Sequence, residues 1–141
     1  MIASGITLGN DVSKAMHDVR MKHTRYAVFS INSDGKEIVT TKVGPREATY
    51  DQFIEQINLN EPCYVAFDYE YVDGPLISKL LLILWIPDTA KPRIKMLYSS
   101  SFDAFACASQ GFMRVQVNEA AGLEKSEIVK YIKSHSLLKV S

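Results

Sequence analysis

Three acidic residues on or just after one strand-like stretch have side chains suited to acid–base or metal chemistry. Asp68 and Glu70 alternate along residues 63–71 and therefore share one face of the predicted strand, and Asp73 follows in a turn. Paired carboxylates serve as a general acid and base, or they bind a divalent cation. No histidine or glycine-rich loop accompanies them. The pattern therefore favours the polar side of a half-buried strand, and a small metal-dependent hydrolase is the alternative.

Other residue types that carry catalysis lack the neighbours they need. The serines at 99–101 have no adjacent base to activate a hydroxyl. His17 and His23 have no cysteine or acidic partner at the spacing of metal ligands. The sequence contains neither the G-x-x-x-x-G-K-[ST] loop nor the G-x-G-x-x-G turn, the two glycine-rich motifs that bind phosphate groups. We therefore expect no enzymatic activity, no metal and no cofactor.

A different chemistry, recognition of another protein, is suggested by the stretch from Trp85 onward. The apolar strand predicted for residues 80–86 ends at Pro87. Asp88 and Thr89 then offer side-chain oxygens to the free N–H groups at a helix start, and Pro92 fits the first turn of that helix. The spacing predicts an amphipathic helix that runs from Ile94.

The two faces of this predicted helix differ in character. The inward face is apolar: Ile94, Leu97, Tyr98, Phe102, Phe105 and Ala108. The outward face is cationic or small: Arg93, Lys95, Met96, Ser99, Ser100, Asp103 and Cys107. Cations and a large exposed methionine beside small hydroxyls suit a helix that lies in a groove of another protein. An ordinary solvated face is the alternative.

The length and composition of the chain limit its fold and function, whether the helix face binds a partner or is only solvated. With 141 residues and 47% hydrophobic content, the chain is expected to form one domain over residues 1–141. Its 16 basic and 16 acidic residues cancel, which argues against a nucleic-acid-binding protein. Cys63 and Cys107 are widely separated, and no signal-peptide pattern precedes them, so both are expected to be free thiols in the cytoplasm. The longest apolar run is too short to span a bilayer.

The order of the remaining elements predicts one mixed sheet between helices. Residues 26–31 and 37–43 form a hairpin around the Asn-Ser-Asp-Gly turn at 32–35. Further strands are predicted at 63–71, 78–86 and 111–117, with helices after Asp11, after Thr49 and from Lys125 or Ser126. Residues 1–8 are expected to form a flexible arm, and residues 136–141 a tail.

Four motifs along the chain are specific in their residue types and spacing. The longest is Trp85-x-Pro87-Asp88-Thr89-Ala90-x-x-Arg93-x-Lys95-Met96-x-Tyr98-x-Ser100-Ser101-x-Asp103-Ala104. The others are Ser4-Gly5-Ile6, Tyr50-Asp51-x-Phe53 and Tyr64-x-x-x-Asp68-x-Glu70-Tyr71. Together these motifs resemble one known family, the ADF/cofilin proteins, which bind and disassemble actin filaments. The resemblance implies the ADF-homology fold, an α/β fold of the α+β type. In that fold a central mixed sheet of about five strands has helices on both faces.

The resemblance also implies a partner and the residues that contact it. The partner is actin, monomeric and filamentous and expected in its ADP form, bound by a monomeric protein of the cytoplasmic actin cytoskeleton. The implied monomer site consists of Ser4, Gly5, Ile6, Arg93, Lys95, Met96 and Asp103. The implied filament site is sparse in cations, with Lys79, Lys130 and Lys133. Ser4 matches a serine that is often phosphorylated in the family.

Departures from the family pattern refine these expectations. Many relatives carry two or three cations where this chain has Phe-Ala-Cys-Ala-Ser at 105–109, so phosphoinositide binding is expected to be weak. The sparse filament site predicts strong monomer binding with weaker severing. Same-fold alternatives are a coactosin-like filament binder or a branch-complex regulator similar to glia maturation factor. The preserved Arg93-x-Lys95-Met96 and Ser4 argue against both.

Overall fold

A computed structural model describes the backbone of residues 6–140 and the side chains of residues 6–135. Within these residues, six strands form one mixed sheet in the order β1-β3-β2-β4-β5-β6. The strands are β1 (Thr7–Leu8), β2 (Thr24–Ile31), β3 (Glu37–Pro45), β4 (Cys63–Val72), β5 (Leu76–Trp85) and β6 (Met113–Val117). The α-helices are α1 (Val12–Arg20), α2 (Tyr50–Gln56), α3 (Pro92–Ser100) and α4 (Lys125–Val140). Short 3-10 helices span Phe102–Phe105 and Ala120–Leu123.

The sheet separates two apolar layers. α1, α3 and the 3-10 helix after α3 contribute to the layer on one face, and α2 and α4 contribute to the layer on the other. Along β5, Leu82 and Leu84 belong to the first layer, whereas Leu81, Ile83 and Trp85 belong to the second. Both faces of β5 are therefore covered, which explains why its sequence is a continuous run of apolar residues. The predicted α+β fold is confirmed.

The hairpin of β4 and β5 extends beyond the rest of the sheet. β2 pairs with β4 only as far as Phe67, and β6 pairs with β5 only from Leu81 onward. Residues 68–72 and 76–80 therefore pair only with each other. We call these two segments, with the turn at 73–75, the projecting ribbon. The extension places the acidic residues of β4 outside the six-stranded body.

Two expectations about the ends of the chain are corrected. Thr7 and Leu8 do not belong to a flexible arm, because they form β1, which pairs in parallel with β3 and makes the sixth strand. Ile6 is only 1% exposed and packs in the layer that contains α3. At the other end, the backbone of residues 136–140 continues α4 instead of forming a separate tail. Residues 1–5 of the expected arm, which include Ser4 and Gly5, lie outside the described residues.

The helix starts agree with the sequence in one case and differ in another. Thr49 caps α2 through a reciprocal capping box with Gln52, as its position predicts. α3 begins differently, because its N-cap residue is Lys91 and no side chain caps it. Asp88 and Thr89 lie instead in a turn that Ala90 N–H closes onto the Pro87 carbonyl at 3.0 Å. Pro92 at the first helical position removes one of the N–H groups that would need a cap.

The two cysteines were predicted to be free thiols. Within the described residues, Cys63 and Cys107 are both free, as predicted. Burial, with a smaller contribution from the Glu61 charge, raises the pKa of the Cys63 thiol to about 12, so this thiol remains protonated and is a poor nucleophile. No helix in the described part of the chain has both the length and the apolar character needed to cross a membrane.

Candidate functional site

The helix that carries the predicted contact residues is fixed firmly to the sheet. Tyr98 is the buried residue of α3, and its hydroxyl accepts a hydrogen bond from the Ile31 N–H at 3.0 Å. The Tyr64 hydroxyl on β4 donates to the Tyr98 carbonyl at 2.6 Å. Just after α3, the Phe105 ring packs against Tyr64, with 4.8 Å between ring centroids. These contacts hold the helix in one orientation.

The outward face of α3 remains accessible, as the sequence predicts. Arg93 is exposed, Lys95 is half-buried, and Met96 has 72% of its surface exposed. Among the described residues, neither Arg93 nor Lys95 takes part in an ion pair. An exposed methionine between unpaired cations is a surface that can bind an acidic and partly apolar partner.

Asp103, the predicted polar contact beyond α3, is already engaged within the chain. Its carboxylate pairs with Arg114 of β6 at 2.8 Å while 84% of its side chain remains exposed. The Arg114 guanidinium also lies 5.0 Å from the centre of the Phe102 ring. Sequence reasoning missed Arg114, because only the sheet pairing brings β6 beside this segment. A partner that contacts Asp103 therefore meets an ion pair, not a lone carboxylate.

A second arginine, also missed from the sequence, holds the chain after the 3-10 helix. Arg20 at the end of α1 donates to the carbonyls of Ala108 at 2.6 Å and Gln110 at 3.1 Å. Its guanidinium lies 5.4 Å from the centre of the Phe112 ring. Arg20 therefore joins α1 to the connection between α3 and β6.

The N-terminal part of the predicted monomer site is only partly described. Ser4 and Gly5 lie outside the described residues, so their placement stays a prediction. Ile6 is buried, so its side chain packs within the domain, and the part of this position in the monomer site stays a prediction. Ile6 packs in the same layer as Tyr98 and Phe105, and β1 contacts the 3-10 helix after α3. Its burial gives Ile6 the role of an anchor for the chain's start.

The three cations of the predicted filament site lie on the ribbon and on α4. Lys79 is half-buried on the ribbon, whereas Lys130 and Lys133 are exposed on α4. Lys133 is 3.5 Å from the Asp73 carboxylate in the ribbon turn, which brings α4 and the ribbon to one end of the molecule. Beside this turn, Val72 and Leu76 form an exposed apolar cross-strand pair. Two exposed apolar side chains therefore lie beside the paired cation at this end of the molecule.

The acidic residues of β4 form an ion-pair network with neighbouring cations. Asp68 is 0% exposed, and its carboxylate accepts hydrogen bonds from Lys22, Arg46 and Ser78. Burial acts to raise its pKa, but these three hydrogen bonds outweigh burial and lower the pKa below its ordinary value. Glu70 shares the face of Asp68, as predicted, and its carboxylate forms ion pairs with two arginines. The described residues contain no cluster of three His, Cys, Asp or Glu side chains suited to a metal.

Comparisons with known proteins agree with this arrangement. The family model described as cofilin/tropomyosin-type actin-binding protein matches residues 5–133. Actophorin of Acanthamoeba castellanii is 34% identical over 128 residues, which are 89% of this chain and 93% of actophorin. The solution structure of ADF/cofilin from Trypanosoma brucei is 47% identical, with a TM-score of 0.76 over 96% of this chain and 99% of that one. Streptomyces griseoflavus cofilin gives 26% identity and a TM-score of 0.81 over 89% and 96% of the two chains.

The sheet, its two helical layers and the anchored α3 together define an ADF-homology domain. On the family match and the shared identity, the chain belongs to the ADF/cofilin family of actin-binding proteins.

Proposed function

We propose that this protein binds actin through the outward face of α3 and promotes the disassembly and turnover of actin filaments. The observation that carries the proposal is that α3 is firmly anchored to the sheet while the cations on its outward face, Arg93 and Lys95, form no ion pair within the described residues. A preorganised helix loses little conformational entropy on binding, so more of its contact energy appears as affinity.

The side chains of this face suit different parts of an actin cleft. Arg93 and Lys95 meet acidic groups, with the Arg93 guanidinium able to bind a carboxylate through two hydrogen bonds. Met96 is flexible and polarisable, so it fills an irregular apolar gap between these contacts. The activity is driven by binding energy, with no covalent step. If the protein binds one filament twist more tightly than another, it shifts the filament towards that twist, and boundaries between decorated and bare segments break.

The balance between monomers and filaments follows from the contrast between the two surfaces. The α3 face retains its cations, whereas the predicted filament site has Lys79, Lys130 and Lys133, one of which is paired to Asp73. We infer strong monomer binding and weaker severing. Phosphoinositide binding is weak by the same reasoning, because residues 105–109 supply no cation. The nucleotide state expected on the bound actin is ADP.

Regulation through Ser4 belongs to the same proposal. Ser4 precedes the anchored Ile6 by two residues in the sequence. A phosphate on Ser4 would add about −1.5 to −2 charges and repel acidic groups of actin. Phosphorylation would therefore switch binding off.

The experiment that tests the function compares this protein with a relative whose filament surface is fully basic. Gel filtration with monomeric ADP-actin should give a complex, and filament pelleting should show co-sedimentation. Filament severing, counted by microscopy, should be slower than for the basic relative. Severing as fast as that relative's would contradict the inferred balance. Filament binding without a monomer complex would indicate a coactosin-type function instead.

A further inference from the structure

One buried carboxylate lies at the root of the projecting ribbon. Asp68 is the first residue of β4 beyond its pairing with β2, and it faces Leu80 on β5. Its Oδ2 atom is 2.9 Å from Lys22 Nζ and 2.7 Å from Arg46 Nη1. Its Oδ1 atom accepts a hydrogen bond of 2.7 Å from the Ser78 hydroxyl. Every one of these partners is charged or polar, so the buried carboxylate is well satisfied.

These donors come from three separate segments of the chain. Lys22 lies in the turn between α1 and β2, Arg46 follows β3, and Ser78 lies on the ribbon. Lys22 Nζ also donates to the Ser78 hydroxyl at 2.8 Å, which closes a triangle of contacts with Asp68. A single side chain therefore ties two loops of the body to the ribbon.

The backbone of Lys22 adopts the left-handed conformation that ends helix α1. Among the described residues, Lys22 is the one non-glycine residue with a positive φ, at 65°. The left-handed region costs a non-glycine residue roughly 1–2 kcal/mol, and such a conformation persists where the surrounding contacts determine it. Here those contacts are the backbone hydrogen bonds that end α1, from the Lys22 N–H to the Val19 carbonyl at 3.1 Å and from the His23 N–H to the Asp18 carbonyl at 2.8 Å, so the end of α1 fixes where the Lys22 side chain starts towards Asp68.

A second layer of charge lies one step further along the ribbon. Glu70 accepts from Arg25 at 2.8 Å and lies 3.5 Å from Arg46. Arg25 also donates to the carbonyls of Asp68 at 2.9 Å and Ala48 at 3.2 Å. The root is thus held by three body cations, Lys22, Arg25 and Arg46, which surround the carboxylates of Asp68 and Glu70.

The ribbon also packs against the body close to its root, since Tyr69 is only 4% exposed and its ring lies 5.2 Å from that of Tyr50 on α2. A two-stranded hairpin without sheet neighbours is marginally stable in water. At the tip, Lys133 and Asp73 form an exposed pair at 3.5 Å, and such surface pairs contribute little. The orientation of the ribbon relative to the body is therefore set near its root, by the charge network together with the packing of Tyr69, and not at its tip.

We propose that Asp68 is a positioning residue, which fixes the ribbon in the orientation needed for filament binding. This rests on the proposed function, since it assumes that the ribbon and Lys79 contact a filament. The hydrogen bonds and ion pairs of this network in the described residues involve no residue of α3, which is anchored instead through Tyr64, Tyr98 and Phe105. Loosening the root therefore weakens filament binding and leaves monomer binding unchanged.

The test removes the donors to Asp68 one at a time, because Asp68→Asn would leave Lys22 and Arg46 without their carboxylate together and lower the stability of the whole domain. The variants are Lys22→Met and Ser78→Ala, and Lys22→Arg serves as the conservative rescue. Lys14→Met is the matched control, since Lys14 forms an exposed pair with Asp18 on α1. Hydrogen exchange of the ribbon amides and affinities for monomeric and filamentous actin are measured for each protein.

In Lys22→Met and Ser78→Ala, ribbon amides should exchange at least about tenfold faster than in the wild type. Filament affinity should fall about tenfold while monomer affinity holds, and Lys22→Arg should restore both readouts. Equal losses of monomer and filament binding would overturn the proposal, as would unchanged ribbon exchange. If the wild type binds no actin, the filament role fails together with the proposed function. Unchanged exchange in the variants, by contrast, overturns the hold on the ribbon even if actin binds.

Discussion

The hydroxyl of Tyr64 on β4 donates a 2.6 Å hydrogen bond to the backbone carbonyl of Tyr98 in α3. Both residues are buried, and burial, together with the neighbouring Tyr98, raises the pKa of Tyr64 above its ordinary value. The hydroxyl therefore remains protonated and remains a donor. This bond joins the centre of the sheet to the helix that carries the proposed actin contacts.

Replacing Tyr64 by Phe should lower the free energy of unfolding by about 1–2 kcal/mol, because the buried Tyr98 carbonyl loses its donor. Urea denaturation monitored by circular dichroism measures the change. Tyr71→Phe is the matched control, since Tyr71 is partly exposed on the ribbon. An equal loss of stability in the two variants would show that the hydroxyl of Tyr64 has no special role.

The double variant Arg93→Ala with Lys95→Ala should lose at least about tenfold in affinity for monomeric actin, since each cation is proposed to meet an acidic group. Its unfolding midpoint should match the wild type, because neither side chain has an ion-pair partner in the described chain. The control is the double variant Lys42→Ala with Lys125→Ala, which removes two exposed cations from the side of the sheet that packs α2 and α4. Its net charge equals that of the α3 double variant. Unchanged affinity in the first pair would remove α3 from the site.

Met96→Ala should separate binding from stability. Because 72% of Met96 is exposed, truncation should change the free energy of unfolding by less than about 0.5 kcal/mol. Burial of the same side chain against actin should make truncation cost about 1–2 kcal/mol of binding. Met21→Ala is the control, because Met21 is an exposed methionine after α1. If both variants bind like the wild type, Met96 lies outside the interface.

Ser4→Glu should weaken actin binding, whereas Ser4→Ala should leave it unchanged, since only the first adds negative charge. Ser13→Glu, at an exposed position of α1, controls for the change in net charge. Binding of fluorescently labelled monomeric actin measures all three. Loss of binding in Ser13→Glu to the same degree would assign the effect to net charge instead of position.

The parts of the fold that the sequence predicted depend on local periodicity. The apolar run of β5 and the three- and four-residue spacing from Ile94 onward predict which faces are covered, and the structure confirms both faces. The predicted helix is nevertheless shorter than its spacing indicates, because α3 ends at Ser100 and a 3-10 helix follows. The capping box at Thr49 is equally local. Strand β1 was not predicted, because two residues are too few to show the alternation of a strand and because its partner β3 lies about 30 residues away in the sequence.

The parts that the sequence could not supply are contacts between distant segments. Asp68 and Glu70 were correctly placed on one face, but Lys22, 46 residues from Asp68 in sequence, was not assigned to them. Arg114 was not paired with Asp103 for the same reason. No spacing rule identifies such partners, because the sheet topology decides which cations meet which carboxylates. The buried state of Ile6 likewise follows from β1, which the sequence did not reveal.

The stability of the domain should depend on pH through Asp68. Its pKa is lowered in the folded protein, because hydrogen bonds from Lys22, Ser78 and Arg46 outweigh burial. A lowered folded pKa contributes stability that is present above the unfolded value of 3.8 and is lost as pH falls through the folded pKa. Urea denaturation between pH 7 and pH 2 should therefore show a steep acid loss in the wild type and a shallower one in Asp68→Asn. Asp88→Asn, at an exposed position, should keep the wild-type slope. Equal slopes in the wild type and Asp68→Asn would mean that the ionised carboxylate does not stabilise the root of the ribbon.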